Sequence, residues 1–195
     1  MSTILVAVAL IPVLAVILAG SPSLPAHAVT IEATNPLVVD PALLDTSVEE
    51  QDLATIIGSI APVSQEIRMR RSIAQATFCL PQNILGTLCY ALLQLTGNAV
   101  NTADMNEIKI IATRLPIGLS LGRYIFLGKS VLTENAVRHE YGHTMQGYKH
   151  GPFFLLFEGL VSFVQAAFSL ISPSFAESYF DRWPESEANE LGGVI

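Results

Sequence analysis

Two long apolar segments lie in the second half of the chain, at residues 84–100 and 153–172. The first has no charged residue and is apolar enough for a helix that is buried or partly embedded in a membrane. In the second, polar residues recur every three or four positions, which predicts a helix with one polar stripe at the centre of a domain or facing lipid. That stripe consists of Glu158, Ser162, Gln165, Ser169 and Ser172.

Between these segments the pattern changes from that of a strand to that of a helix. Residues 119–127 mix apolar and aromatic side chains as a short strand does, and Gly128 ends the run. Thr133 is a residue type that caps helices, and Glu134 favours the positive end of the helix that follows. These features predict an α+β domain, mostly helical, with one helix beside a short sheet or an edge strand.

The predicted helix carries His139, Glu140 and His143. Because positions i and i+4 share one face of a helix, both imidazoles can reach one cation, and Glu140 leans towards a water molecule bound to it. This spacing is the HExxH motif of zinc peptidases. It predicts that His139 and His143 bind Zn2+, which lowers the pKa of its bound water to about 7, and that Glu140 is the general base.

A catalytic zinc ion normally takes a third protein ligand, and several downstream residues are candidates. His150 stands one position too late for the metzincin pattern HExxHxxGxxH, and no methionine follows Met145. Glu158 lies in the long apolar segment, without an acid or amide four residues later. Glu185 follows a proline suited to the first turn of a helix, and Asn189 comes one turn later on the same face.

The pair formed by Glu185 and Asn189 resembles gluzincins, in which an aspartate one turn after the ligand glutamate orients a metal-bound histidine. This resemblance implies Glu185 as the third zinc ligand and Asn189 as the residue that orients a ligand histidine. Asparagine in place of aspartate can still accept a hydrogen bond, but it raises ligand basicity less than a carboxylate does. Glu187 remains a rival ligand, although the residue four positions later is Leu191.

The C-terminal part of the chain also resembles a family of uncharacterised bacterial and archaeal proteins of the zinc-peptidase type, which share an HEYGHTxQ motif. The resemblance covers roughly residues 80–195 and implies a zincin-like metallopeptidase domain. It supplies no substrate. The stretches that carry it are residues 80–86, 121–126, 139–146, 151–152 and 185–193.

The N-terminal part of the chain has a different character. Residues 4–19 are an uncharged apolar run, and residues 26–28 form a small-x-small cleavage pattern, so residues 1–28 are predicted to be a signal peptide or an N-terminal membrane anchor. Either interpretation predicts export. Residues 29–62 hold acidic but no basic residues, which predicts an acidic linker and then a short helix. Residues 63–195 form the predicted zincin-like domain.

The content of charged residues and the net charge bear on whether the partner is a membrane or a nucleic acid. Charged residues make up 14% of the chain, compared with about 25% in soluble domains; the apolar N-terminus accounts for part of this deficit, and either buried or membrane-associated apolar helices would account for the rest. The net charge of -7 argues against nucleic acid, although Arg68, Arg70 and Arg71 form a basic cluster. Cys79 and Cys89 are the only cysteines, and they permit one disulfide bond or two buried free thiols.

The sequence therefore predicts an exported zinc metallopeptidase that acts on a peptide or protein substrate. The predicted strand at residues 121–127 would bind an extended substrate by edge pairing. One alternative is a non-catalytic structural or membrane-associated protein in which zinc holds the helices together. Another is a metal-dependent hydrolase with a non-peptide substrate. A structural zinc site has four protein ligands, whereas a catalytic site leaves one position open.

Overall fold

The structure, a computed structural model, describes residues 50–60 and 64–194. The predicted signal peptide or anchor at residues 1–28 and most of the predicted acidic linker lie outside the described residues. The described part combines helices with a small mixed sheet of four strands, which confirms the predicted α+β class at this level.

The helices and strands follow one another along the chain with short connections. In order they are α1 (Glu50–Ser59), α2 (Gln65–Ala76), α3 (Leu80–Leu95), β1 (Ala99–Met105), β2 (Ile108–Thr113), β3 (Gly118–Leu121), β4 (Tyr124–Gly128), α4 (Glu134–His150), α5 (Leu160–Ile171), α6 (Pro173–Ala176) and α7 (Glu185–Gly192). Between them lie 3₁₀ turns at Lys129–Val131, Gly151–Phe153 and Tyr179–Asp181, and a π-helical turn at Leu155–Gly159.

The sheet has the strand order β1-β2-β4-β3. β1 and β2 form an antiparallel hairpin whose turn residues, Asn106 and Glu107, have φ angles of 48° and 67°. β2 and β4 are parallel, and β3 and β4 are antiparallel. β3 is therefore an edge strand of the sheet.

Helices cover both faces of the sheet, because successive side chains of a strand point to opposite faces. In β4, Phe126 packs with Leu85 of α3 on one face. Ile125 of the same strand packs on the other face with Val137 of α4 and Leu53 of α1. β3 follows the same alternation, so its polar and small residues face α4 and its leucines face α3.

The prediction of a helix at residues 84–100 is wrong at the C-terminal end. α3 stops at Leu95, and Gly97 follows with a φ of 68°. The N–H of Asn98 donates to the carbonyl of Leu93 at 2.8 Å, which is the Schellman cap typical of helix ends. β1 begins directly afterwards, and the sequence analysis predicted neither β1 nor β2.

The strand predicted at residues 119–127 is two strands, because a turn divides it. Gly122 has a φ of 63°, and a Cβ there would lie 2.1 Å from Asn83 Oδ1. The same Asn83 oxygen accepts the N–H of Arg123 at 2.7 Å. β4 is consequently paired on both sides, so the predicted edge strand at residues 121–127 is wrong, and the free edge near α4 belongs to β3.

The apolar segment predicted as a helix at residues 153–172 forms the π-helical turn and α5. Its polar stripe points inwards, and Gln165 Nε2 donates to the Trp183 carbonyl at 2.8 Å. None of the 12 residues of α5 is buried. Over the described residues no single helix has both the length and the apolar character to cross a membrane, whereas α2 with α3 and Glu134–Phe153 with Leu155–Ile171 meet those criteria as pairs bent by 83° and 112°.

Both cysteines are buried free thiols. A disulfide needs a break in the helix between them, and Pro81 provides none because it lies in the first turn of α3. Cys79 is the N-cap residue and Cys89 lies ten positions later, which is about 15 Å along the axis, whereas a disulfide requires Cα atoms within about 7 Å.

We expect neither thiol to react with a disulfide reagent in the native protein at pH 8. Burial raises the pKa of both Cys79 and Cys89 to about 11, so roughly one thiol in a thousand is ionised at that pH. Titration with Ellman's reagent checks this. Two thiols should appear on unfolding without reductant, and a requirement for reductant would contradict the structure.

Candidate metal centre

The HExxH motif lies on α4, which begins as the sequence predicts. The hydroxyl of Thr133 accepts the N–H of Ala136 at 3.1 Å, which confirms Thr133 as the helix cap. His139 and His143 follow one turn apart, and their ring centroids are separated by 4.7 Å. Both imidazoles therefore point to the same side of α4.

α7 crosses α4 so closely that the two backbones touch. A Cβ at Gly142 of α4 would lie 1.9 Å from the carbonyl oxygen of Ala188. A Cβ at Gly192 of α7 would lie 2.0 Å from the carbonyl oxygen of Arg138. Only glycine fits at either position with this spacing.

This crossing brings Glu185, the first residue of α7, against both histidines. Glu185 Oε2 lies 3.0 Å from His139 Nε2 and 3.2 Å from His143 Nε2. The Glu185 side chain is fully buried, and the two imidazoles are nearly so. The structure thus brings together three of the residues that the sequence analysis selected as metal ligands.

The other nitrogen of each imidazole is held by a side-chain amide. His139 Nδ1 lies 2.8 Å from Asn189 Oδ1, and His143 Nδ1 lies 2.8 Å from Gln146 Oε1. Because an amide oxygen can only accept, both Nδ1 atoms carry a proton in these contacts. Each Nε2 then faces Glu185, in the orientation that a metal ligand requires.

Glu140 is buried beside this cluster and is held from the sheet. The Ser120 hydroxyl of β3 lies 3.0 Å from Glu140 Oε2 and 2.6 Å from the Glu140 carbonyl oxygen. At Gly118, two residues earlier, a Cβ would lie 2.6 Å from Glu140 Oε1. The edge strand therefore both binds this carboxylate and leaves room for it.

His139, His143 and Glu185 form a buried ion-pair network. Burial by itself lowers the pKa of His143, but the hydrogen bond to Glu185 and the charge of Glu140 outweigh it and raise the pKa to about 9. The pKa of His139 is raised for the same reasons. Burial opposes ionisation of Glu185, yet the hydrogen bonds from the two imidazoles hold its pKa well below its usual range.

The pKa of Glu140 is shifted in the opposite direction from that of Glu185. Its burial is the largest effect and raises its pKa, although the neighbouring histidines and Ser120 partly oppose the rise. The pKa values of Glu140 and Glu185 are thus shifted in opposite directions. A pair of acids whose pKa values are pushed apart is typical of functional sites.

The rival ligands lie elsewhere. His150 is in contact with Glu158, and both are separate from the His139, His143 and Glu185 cluster. Glu187 binds Lys149 and also accepts hydrogen bonds from Gln146 Nε2 at 3.1 Å. Among the described residues, no other group of three histidine, cysteine or acidic side chains converges closely enough for a metal ion.

The donor set fits a zinc ion. Zinc ligands lie about 2.0–2.2 Å from the metal, so donors around one tetrahedral ion are separated by about 3.4 Å, close to the distances between Glu185 and each histidine. Glu185 is fully buried, and the Ser162 and Tyr179 side chains also lie close to its carboxylate. Its Oε2 atom, placed between the two Nε2 atoms, is in the position of a metal ligand.

Sequence reasoning missed three residues of the site. Gln146 lies three positions after His143, a spacing that places both on one helix face and gave a signal that was overlooked. Ser120 reaches Glu140 only through tertiary packing. Tyr179 lies next to Glu185, and burial together with the Glu185 charge raises the pKa of its hydroxyl.

Comparison with known proteins gives no assignment. No family model matches this chain, and neither a curated protein nor a solved structure is similar to it. The geometry of the cluster is therefore the basis for any statement about function.

We expect Gly142→Ala to destabilise the protein and Gly147→Ala not to. The added methyl group at Gly142 would force α7 away from α4, at a cost of about 1–3 kcal/mol. Gly147 is on the same helix with open space around its Cβ position, so alanine there should stabilise by about 0.5–1 kcal/mol. Unfolding in urea measures both, and equal effects would contradict the close crossing.

We expect the purified protein to bind about one zinc ion per chain, with an affinity that depends on Glu185 but not on Glu187. Glu185→Gln removes the anionic ligand and should weaken binding by about 100-fold or more. Glu187 lies on the same helix but pairs with Lys149, so Glu187→Gln should leave the affinity for zinc nearly unchanged. Titration against a competing chelator dye checks this, and the opposite ranking would identify Glu187 as the ligand.

Proposed function

We propose that this protein is a zinc-dependent hydrolase that cleaves peptide bonds, a metallopeptidase with a gluzincin-like ligand set. The observation that carries the proposal is the buried carboxylate of Glu140, which lies beside the donor cluster without belonging to it. Among the described residues its hydrogen-bond partner is the neutral Ser120 hydroxyl. A buried acid held by a neutral group next to a metal-binding cluster is suited to proton transfer.

His139, His143 and Glu185 would hold the metal, and two amides would keep the histidines in place. When bound, zinc would act as a Lewis acid and bring the pKa of a water molecule down to about 7. Asn189 and Gln146 fix the tautomer and the ring orientation of the two histidines through the 2.8 Å contacts.

Glu140 would act first as a base and then as an acid. Its carboxylate would accept a proton from the attacking water and later deliver it to the leaving amine. Burial raises the pKa of Glu140, which brings it closer to the pH at which such transfers are efficient. The Ser120 hydroxyl keeps Oε2 in one orientation, and Oε1 is left for this exchange.

The substrate would bind as an extended chain along β3. The N–H of Gly128 donates to the carbonyl of Ile117, so by alternation the backbone groups of Gly118 and Ser120 point to the free edge of the sheet. A peptide added there gains main-chain hydrogen bonds. Because these same two residues flank Glu140, the peptide backbone would lie beside the proposed base.

The alternative function is a non-catalytic one, in which zinc holds α4 and α7 together. The observation that favours it is the complete burial of Glu185 at the contact of these two helices. A hydrolase of a non-peptide substrate remains a third candidate, because the same donors would activate water for any electrophile. Export is also part of the proposal, and it rests on the apolar run at residues 4–19.

We expect Glu140→Gln to lower peptide hydrolysis by roughly 100-fold or more while zinc occupancy stays nearly unchanged. Glutamine keeps the size of the side chain but cannot accept the proton. Activity on a fluorogenic peptide library and zinc content by elemental analysis are the two measurements.

His139→Ala is the matched comparison, because it removes a ligand and should lower zinc content and activity together. Full activity of Glu140→Gln would reject the mechanism. If the wild type cleaves no peptide and Glu140→Gln loses zinc or stability instead, the structural role of zinc is the better account.

A further inference from the structure

The two sides of α5 have the reverse of the polarity found in an ordinary amphipathic helix. Its apolar side chains face outwards, while Ser162 and Gln165 face the protein, where Ser162 lies against Glu185 and Gln165 binds the Trp183 carbonyl. We call the outward side the α5 face. Its members, all exposed, are Phe157, Leu160, Phe163, Val164, Phe168, Leu170 and Ile171.

The α5 face carries no charge. From residue 153 to residue 176 the only charged residue is Glu158, which is buried and in contact with His150. With about 200 Å² for each fully exposed aromatic side chain and somewhat less for an aliphatic one, the members of the α5 face present on the order of 700 Å² of apolar surface. The largest apolar patch of a typical monomer is about 300–600 Å².

Chemistry distinguishes the possible occupants of this surface. A protein partner of that area would form about one hydrogen bond per 100–200 Å², and it would favour tyrosine, tryptophan and arginine at the contact. The α5 face offers phenylalanine and aliphatic residues, and the polar groups of α5 are turned inwards. Hydrocarbon, which needs no hydrogen bonds, is the occupant that matches this composition.

The surroundings of the α5 face also fit the surface of a bilayer. Trp183 lies at its border, half exposed, and its indole N–H donates to Glu187 at 3.2 Å. Arg182 lies next to it, with its guanidinium 4.4 Å from the ring centroid of Phe175. Tryptophan and arginine at the edge of an apolar surface are typical of the membrane interface, where an apolar body meets a polar headgroup.

We propose that the α5 face inserts into the hydrocarbon of a lipid bilayer, so that the protein lies on a membrane with its metal centre one helix away from the lipid. The predicted signal peptide or anchor would bring the chain to such a surface. The inference does not rest on hydrolysis or on zinc, because it depends on the outer side of α5 alone.

Trp183 provides a local probe, because it is the only tryptophan in the chain. On addition of phosphatidylcholine vesicles to the full chain, we expect its emission to shift to shorter wavelength. We also expect quenching when the acyl chains of the lipid are brominated. This signal reports the α5 border and not residues 4–19, which contain no tryptophan.

The decisive variant is Leu170→Glu with Ile171→Glu. These side chains are 86% and 77% exposed, so the change should not disturb folding, and both the Trp183 shift and its quenching by brominated lipid should be lost. Ala54→Glu with Thr102→Glu adds the same charge at exposed positions on α1 and β1, and it should bind as the wild type does. Glu140→Gln should also bind like the wild type, which separates this test from that of hydrolysis.

Two results would overturn the proposal. One is an unchanged Trp183 spectrum with vesicles. The other is a dimer in analytical ultracentrifugation that Leu170→Glu with Ile171→Glu dissociates while vesicle binding is absent, because the α5 face would then be a contact between two copies of this chain.

Discussion

Two helices can touch through their backbones only where neither presents a side chain, and α4 and α7 meet this condition at Gly142 and Gly192. Ordinary helix pairs are separated by about 8–10 Å because side chains lie between them. Without that separation, Glu185 at the start of α7 reaches two imidazoles on α4 and remains fully buried. The position of the carboxylate thus follows from the absence of two methyl groups elsewhere on the same helices.

The sheet makes a second and independent contribution to the site. α3 packs closely on the β3–β4 hairpin, because a Cβ at Gly86 would lie 2.7 Å from the Leu121 carbonyl. Asn83 holds the turn of that hairpin. The hairpin in turn fixes Ser120, which binds Glu140. The metal ligands therefore depend on α4 and α7, whereas the proposed base depends on α4 and β3.

Local sequence patterns predicted correctly the features that a capping residue or a short motif defines. Thr133, the HExxH spacing and the proline before Glu185 lie where short-range rules apply, and these rules gave the start of α4 and the choice of candidate ligands. β1 and β2 were missed because their turn consists of Asn106 and Glu107, without the glycine that usually marks a tight hairpin. The division of residues 119–127 was missed because Gly122 was not recognised as a turn.

Tertiary contacts account for the rest. Nothing in the sequence indicates that Ser120 meets Glu140, since the two are 20 residues apart and the contact depends on which strand lies at the edge. The inward direction of the polar stripe on α5 also could not be predicted, because a periodic pattern defines a face but not what that face contacts. The predicted stripe is present in the structure, where Glu158 contacts His150, Ser162 lies against Glu185 and Gln165 binds the Trp183 carbonyl.

Asn189 and Gln146 hold the two histidines through neutral amides and therefore add no charge to the site. With a divalent cation bound, the charges of Glu185 and Glu140 would balance it, and the two neutral imidazoles would add none. Without metal, the raised pKa of the histidines allows protons to take the place of the cation. An aspartate at position 189, which is partly buried, would add one negative charge in either state. Neutral hydrogen-bond partners therefore let the same protein interior remain electroneutral whether it holds a metal ion or protons.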